Sequence, residues 1–451
     1  EEDIWVCFVF VVVVVEGEEM VLLYVGVAVG VVIVVLSYLL SPKKQKPGQQ
    51  YPERAGGLLG FIGSSLGGTF SKRPEVLQDN QISPKLKAFI NEKISVYDES
   101  DFPLVDYHTH VFGIGAGGTG CACCPQFFTG TLKKRLTGEV YISAGGVTDL
   151  KTADPDFIAR LCRLIQGFPV PQRNAILGFD KHYNKKGEHV PERTEFYTPN
   201  DYIWKLVDDH PDCFLPCVSV HPYKEGAVEE LDALADKGAR MVKWLPNAHG
   251  IDPSDPICDP FYRKMKERGM FLLCHCGDEK AVEGEEYQAF GNPQLLKRAL
   301  DIGTKVIVAH CASLGTNVDL ESPTKKRETN FDLFLRMMEN PDWKGLLFAD
   351  ISAIVLNNRS GYCKRLLSQT QIHDRLVNGS DYPLPAAQIL ISTRYLVLQG
   401  MLTCEEASLL NEVYDFNPLL FDFMLKQCVK GPNGEKFPKK MFCMHPELQF
   451  S

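Results

Sequence analysis

From Pro103 onward, eight short apolar runs alternate with stretches of helical period, and this alternation narrows the fold of the 451-residue chain more than any other feature. The runs are PLVDYHTH (103–110), NAILGFD (174–180), FLPCVSVHP (214–222), ARMVKWLP (239–246), MFLLCHC (270–276), KVIVAHC (305–311), GLLFADIS (345–352) and RLVNGSD (375–381). Between them lie segments such as DPDFIARLCRLI, PNDYIWKLVDDH, VEELDALADKG, PFYRKMKERG, NPQLLKRALDIG and ETNFDLFLRMMEN, whose apolar residues recur at helical spacing. Gly238, Gly269 and Gly303 stand where three of these helices should stop. Strands that alternate with helices pair in parallel, and eight repeats suit closure into a (β/α)8 (TIM) barrel. A doubly wound open sheet is the alternative. It does not explain why so many of the runs end in residues that bind metals.

The chain ahead of the barrel is organised differently. Met20 to Leu40 carries no charge and, as a helix, spans about 30 Å, enough to cross a bilayer. Glu16, Glu18 and Glu19 precede it, and Lys43, Lys44 and Lys46 follow it, which favours a cytoplasmic C-terminal side. A basic region of the kind that opens a signal peptide is missing, so a retained single-pass membrane anchor is expected at 20–40. Residues 4–15 are apolar but too short to span, and Met20 is a candidate natural start. Residues 41–98 read as a linker, rich in Pro, Gly, Ser and Gln, with a Gly-rich apolar patch (GGLLGFIGSSLGG) that could touch a membrane surface. Within it, SPKLKAFINEKI (83–94) reads as a short amphipathic helix. The barrel then takes 99–430, and 431–451 forms a C-terminal tail.

Composition removes some functions. A net charge of -9 without a long basic stripe argues against nucleic acid as a partner. Fifteen cysteines show no CxxC…CxxC pairing, and so large a chain needs no disulfide staples. Cys121, Cys123 and Cys124 lack the spacing of a structural zinc knuckle and read as unreactive thiols near the site. They lie in a long Gly-rich stretch, 111–150, expected as an enlarged loop over the barrel mouth. Its GIGAGG follows a strand but lacks the helix opening and downstream acid of a dinucleotide fingerprint.

Chemistry concentrates at the run ends. His108 and His110, two residues apart on a strand, point the same way. His275 and His310 stand next to last in the fifth and sixth runs, and Asp381 closes the eighth. In a barrel these positions meet at the C-terminal rim, and four imidazoles with one carboxylate suit Zn²⁺ or a similar divalent cation.

The ordered series His108-Thr109-His110, Lys243 in MVKWLPN, His275, His310 and Ser380-Asp381-Tyr382-Pro383 resembles the amidohydrolase superfamily, in particular its amidohydrolase-2 branch, over about residues 100–430. The resemblance implies a distorted barrel in which His108, His110, His275 and Asp381 form the shared metal shell. It makes His310 either a ligand to a second metal or an acid/base that polarises substrate. Lys243 would bridge two metals if carbamylated, and in one-metal relatives it serves substrate binding or structure. The SDYP sequence fits the one-metal branch, so one tight ion is expected.

A divalent metal lowers the pKa of a bound water from about 15.7 toward about 7, making hydroxide available at neutral pH. Asp381 would take the proton and pass it to the leaving group, while His310 or the metal polarises the scissile carbonyl. A metal-dependent hydrolase acting on an amide, lactone or other ester of a small molecule is the leading reading. A metal-dependent decarboxylase using the same site, with basic groups gripping a substrate carboxylate, comes second. An inactive membrane-tethered binding protein comes third, although every expected ligand type is present. His221, Asn247, His249, Asp278 and Glu279 are secondary candidates on the rim loops. Tyr183, Lys185, Lys186 and Glu188 read as a solvated turn. Barrel enzymes commonly pair, so a homo-oligomer is compatible with the chain.

Overall fold

A computed structural model describes residues 51–68, 72–74, 77, 82–280, 282 and 284–450. Eight parallel strands form its centre: β1 Leu104–His110, β2 Gln172–Leu177, β3 Phe214–Val218, β4 Met241–Trp244, β5 Phe271–Cys274, β6 Lys305–Val308, β7 Leu347–Asp350 and β8 Leu376–Val377. They pair in sequence order from β1 to β8. The ring closes where Tyr107 N–H donates to Asn378 O at 2.9 Å and Asp381 N–H donates to His108 O at 2.7 Å. Each of the eight apolar runs supplies one strand, so the expected barrel forms. The segment 20–40, expected to cross a membrane, lies outside the described residues. Among the described residues no helix is long and apolar enough to cross one.

Among the described residues the α-helices longer than five residues are α1 Gly57–Gly67, α2 Pro84–Ile94, α3 Leu132–Ala144, α4 Ala153–Gln166, α5 Asn200–Asp209, α6 Ala227–Asp236, α7 Asp259–Glu267, α8 Lys297–Ile302, α9 Asn330–Met338, α10 Ser360–Leu367, α11 Thr393–Leu398, α12 Cys404–Phe416 and α13 Pro418–Cys428. Those that follow the barrel strands bury an apolar stripe. On α4, Phe157, Ile158, Leu161, Leu164 and Ile165 recur at helical spacing and are all buried. Each such side chain contributes about 1.5–3 kcal/mol of burial free energy. Part of the stretch read as linker is ordered, because α1 packs against α3 and α2 lies against α12 and α13.

A second apolar cluster fills the barrel itself, with Val105, Tyr107, Leu177, Leu215, Met241, Phe271, Ile307 and Phe348 directed inward. The C-terminal tail closes its lower end. Leu448 is fully buried there, Tyr107 Oη donates to Leu448 O at 2.9 Å, and the Phe450 ring lies 5.8 Å from that of Tyr107. The upper end, where the strands finish, is left for polar side chains.

Candidate active site

Strand alternation aims some of these polar residues without further device. Lys243 follows Met241 by two residues, His275 follows Leu273, and Asp350 follows Phe348, so each inherits the inward direction of its neighbour. His108 and His110 do not, because Val105 and Tyr107 already occupy the inward parity of β1. The register of β1 on β2 slips between Asp106 and Thr109, and this irregularity turns both imidazoles inward. His310 has φ 56° and Asp381 φ 61°, left-handed values that cost a non-glycine residue about 1–3 kcal/mol. Strain of this kind persists only where the surroundings fix the backbone. Here Asp350 Oδ1 accepts the His310 N–H at 2.8 Å, and His108 O accepts the Asp381 N–H.

The polar atoms converge. Asp381 Oδ1 lies 3.4 Å from His108 Nε2 and 3.3 Å from His110 Nε2, and those two nitrogens are 3.4 Å apart. Asp381 Oδ2 is 3.8 Å from His310 Nδ1. Among the described residues, His108, His310 and Asp381 form the group whose ligand atoms all fall within 4.8 Å of one another. The His275 ring stands 5.2 Å from that of His310. Lys243 Nζ reaches to 3.3 Å from His108 Nε2. All six residues except His110 are at most 6 % exposed.

Asp350 and Ser352 set the imidazole tautomers. His108 Nδ1 lies 2.8 Å from Asp350 Oδ2 and donates to it. Ser352 Oγ gives its single proton to Asp350 Oδ1, so it must accept from His310 Nδ1, 2.7 Å away. Both rings therefore carry hydrogen on Nδ1 and present a bare Nε2 lone pair. Burial keeps the imidazoles neutral, holding His110 down to about 4, His310 to about 3 and His275 well below the usual value. Burial disfavours the Asp381 anion, yet the imidazoles around it, His310 foremost, hold its carboxyl well below the usual carboxylate range.

This donor set fits a divalent cation. His108 Nε2 and the Asp381 carboxylate face one another at 3.4 Å, a spacing too long for a direct bond, and His275 Nε2 is buried without a hydrogen bond. Glu279 Oε2 stands 3.5 Å from that nitrogen without hydrogen-bond geometry. An unmet imidazole nitrogen in such a place is costly unless something binds it.

Above the cluster lies a cavity of about 360 Å³. Its floor holds His110, Lys243, His275, His310 and Asp381, and its walls are mostly apolar. Phe112 stacks on His110 with ring centres 5.2 Å apart. Tyr141 of α3 lines the same wall, so the 111–150 segment does cover the mouth, partly as helix. Arg359, beyond β7, also lines the cavity and is 7 % exposed. Its Nη1 donates to Ser313 Oγ at 2.9 Å and its Nε has no hydrogen-bond partner.

The secondary candidates separate. Glu279 lines the cavity, whereas Asp278 pairs with Lys280 at 3.4 Å. Asn247 holds loops together through Gly277 O and Gln288 Oε1. His221 is fully buried and donates to His249 O at 2.9 Å, and the His249 ring packs 4.4 Å from Phe179, so both serve the fold. Lys185 pairs with Asp255 on an exposed turn. Cys123 and Cys124 pack among Phe112, Phe127 and Phe196, and burial pushes the Cys121 and Cys123 thiols up to about 12. Asp350, Ser352 and Arg359 were not expected. Asp350 lies near the end of GLLFADIS, as His275 and His310 lie near the ends of their runs, so its signal is present in the sequence. Arg359 sits nine residues past its strand, where spacing says nothing.

Residues 105–339 match the family model described as Amidohydrolase (Amidohydro_2). No curated protein matches the chain. Among solved structures, a putative 2-pyrone-4,6-dicarboxylic acid hydrolase from Pseudomonas putida is 14% identical, with 62% of this chain and 82% of that one covered at a TM-score of 0.38. An uncharacterised TIM-barrel protein from Bordetella bronchiseptica is 13% identical, with 69% and 99% covered at 0.43. A 5-carboxyvanillate decarboxylase from Novosphingobium aromaticivorans, with bound manganese, is 10% identical, with 73% and 98% covered at 0.38.

Proposed function

The chain belongs to the amidohydrolase family, and from that premise we propose that it is a metal-dependent hydrolase of an amide, lactone or other ester bond in a small molecule. The observation that carries this reading is the position of Asp381, whose Oδ1 lies 3.3–3.4 Å from two imidazole nitrogens at the floor of the cavity. His108, His110, His275 and Asp381 would hold one divalent metal, Zn²⁺ by donor type, and that ion supplies Lewis acidity toward water and carbonyl oxygen.

The chain's own groups do the rest. Asp381, kept anionic, accepts a proton from the attacking water and returns it to the leaving oxygen or nitrogen. Lys243, whose side chain reaches the cavity floor, stabilises negative charge developing on the carbonyl oxygen. His310 is fixed with its proton turned to Ser352, so its Nε2 accepts rather than donates. That suits a metal or a proton better than a carbonyl. A second ion would need Lys243 as a carbamate. The apolar walls exclude bulk water and strengthen each of these interactions.

Arg359 favours one other reading. A buried guanidinium with no carboxylate at ion-pair distance among the described residues suits a substrate carboxylate, which a decarboxylase would release as CO₂. Product analysis over a panel of lactones, esters, amides and aryl carboxylates separates the two. Acid and alcohol or amine products with no CO₂ support hydrolysis. The Asp381→Asn chain should be folded and inactive; turnover by it would remove Asp381 from the mechanism.

A further inference from the structure

Helix α1 turns Leu59, Gly63 and Gly67 inward and leaves large apolar side chains on its outer face as well, unlike an ordinary surface helix. Gly63 and Gly67 face α3 so closely that an added Cβ would lie 2.5 Å from Glu139 Cβ and 2.5 Å from Val140 O, respectively. The missing side chains let the two backbones meet. The other face carries Leu58 and Ile62, both partly exposed, and Phe61, 69 % exposed. No charged residue occurs from Ala55 to Ser71. Even the hydroxyl of Ser64 donates back to Phe61 O within the helix.

This face continues to the active-site mouth. α1 packs beside Gln388–Leu390, where Ile389 is 52 % exposed and, with Leu390, lines the cavity. The chain leading into α1 is pinned to the barrel, since Arg54 Nη2 donates to Glu139 Oε2 at 2.9 Å and Ala55 N–H to Glu139 Oε1 at 2.6 Å. Thirteen residues, 41–53, join this pin to the uncharged stretch 20–40, a reach of about 45 Å at most. Lys43, Lys44 and Lys46 within them suit anionic headgroups.

We propose that α1 and Ile389 dock on a lipid bilayer, with Leu58, Phe61 and Ile62 against the acyl chains and the cavity mouth turned to the membrane. The tether at 20–40 holds the barrel within reach, and the apolar face, too small to bind alone, sets its orientation. A substrate with an apolar portion then passes from the lipid into the apolar-walled cavity.

The test places the full chain in phosphatidylcholine–phosphatidylserine vesicles bearing a diazirine on the acyl chain, and maps adducts by mass spectrometry after illumination. Adducts on 57–67 and 388–390 as well as 20–40 are expected, and Phe61→Glu with Ile389→Glu should abolish the first two while sparing the third. Labelling confined to 20–40, or no vesicle binding, overturns the proposal. A photoreactive phenylalanine at position 61 gives a second reading: crosslinks to lipid support it, and crosslinks to another copy or to residues 1–50 overturn it.

Discussion

Asp350 Oδ2 lies 2.8 Å from His108 Nδ1, and through that contact the carboxylate decides which nitrogen of His108 is turned toward His110 and Asp381. Asp350 Oδ1 meanwhile accepts from the His310 and Ser352 backbone N–H groups at 2.8 and 3.0 Å. One side chain thus fixes the His108 imidazole and the left-handed turn that begins at His310.

Asp350→Asn keeps the volume but replaces an acceptor oxygen by a donor, so His108 loses the partner that holds its proton on Nδ1. Metal affinity should fall about 10–100-fold, as for other groups that orient metal-bound histidines. Competition against a fluorescent chelator measures this. Unchanged affinity would mean that the strand alone orients His108.

Arg359→Met should weaken carboxylated substrates selectively. Loss of hydrogen bonds to a charged group costs about 1.5–3 kcal/mol, which corresponds to a KM increase of about 10–150-fold. The kcat should change much less, and uncharged substrates should barely respond. An equal loss on both substrate types would assign Arg359 to holding the loop through Ser313 instead.

Legibility in the sequence follows from how directly each feature is encoded. The eight strands and most of the helices between them were readable because burial on one face writes a period into the chain. His275 and Lys243 were readable because alternation carried them inward. His108 and His110 were found by their pairing, but the register slip that turns them inward at Asp106–Thr109 leaves no mark in the residues. The helix α1 hides within a linker-like composition because its glycines, poor helix formers alone, are what its packing against Glu139 and Val140 requires. The start of α12 is legible too, because Thr403 and Glu406 form a capping box.

Stability should be acid-sensitive through histidines away from the metal cluster. Burial holds His221 down to about 4 and His249 well below the usual value. Between about pH 6.5 and pH 4 the unfolded chain binds a proton at His221 that the folded chain does not. Stability is therefore full above about 6.5 and declines toward 4, by about 3 kcal/mol for His221 at most. Urea midpoints measured at pH 7.5 and 5 should show the drop, and His221→Gln should lessen it. A midpoint independent of pH would contradict the buried neutral state.

The most direct test of the metal centre is calorimetric titration of metal-stripped protein with Zn²⁺ and Mn²⁺, alongside His108→Ala and His275→Ala chains that retain the wild-type circular dichroism. One tight equivalent per chain, lost or strongly weakened in both variants, is the expected result. No binding by the wild-type chain, or binding indifferent to both substitutions, would contradict a metal held by this cluster.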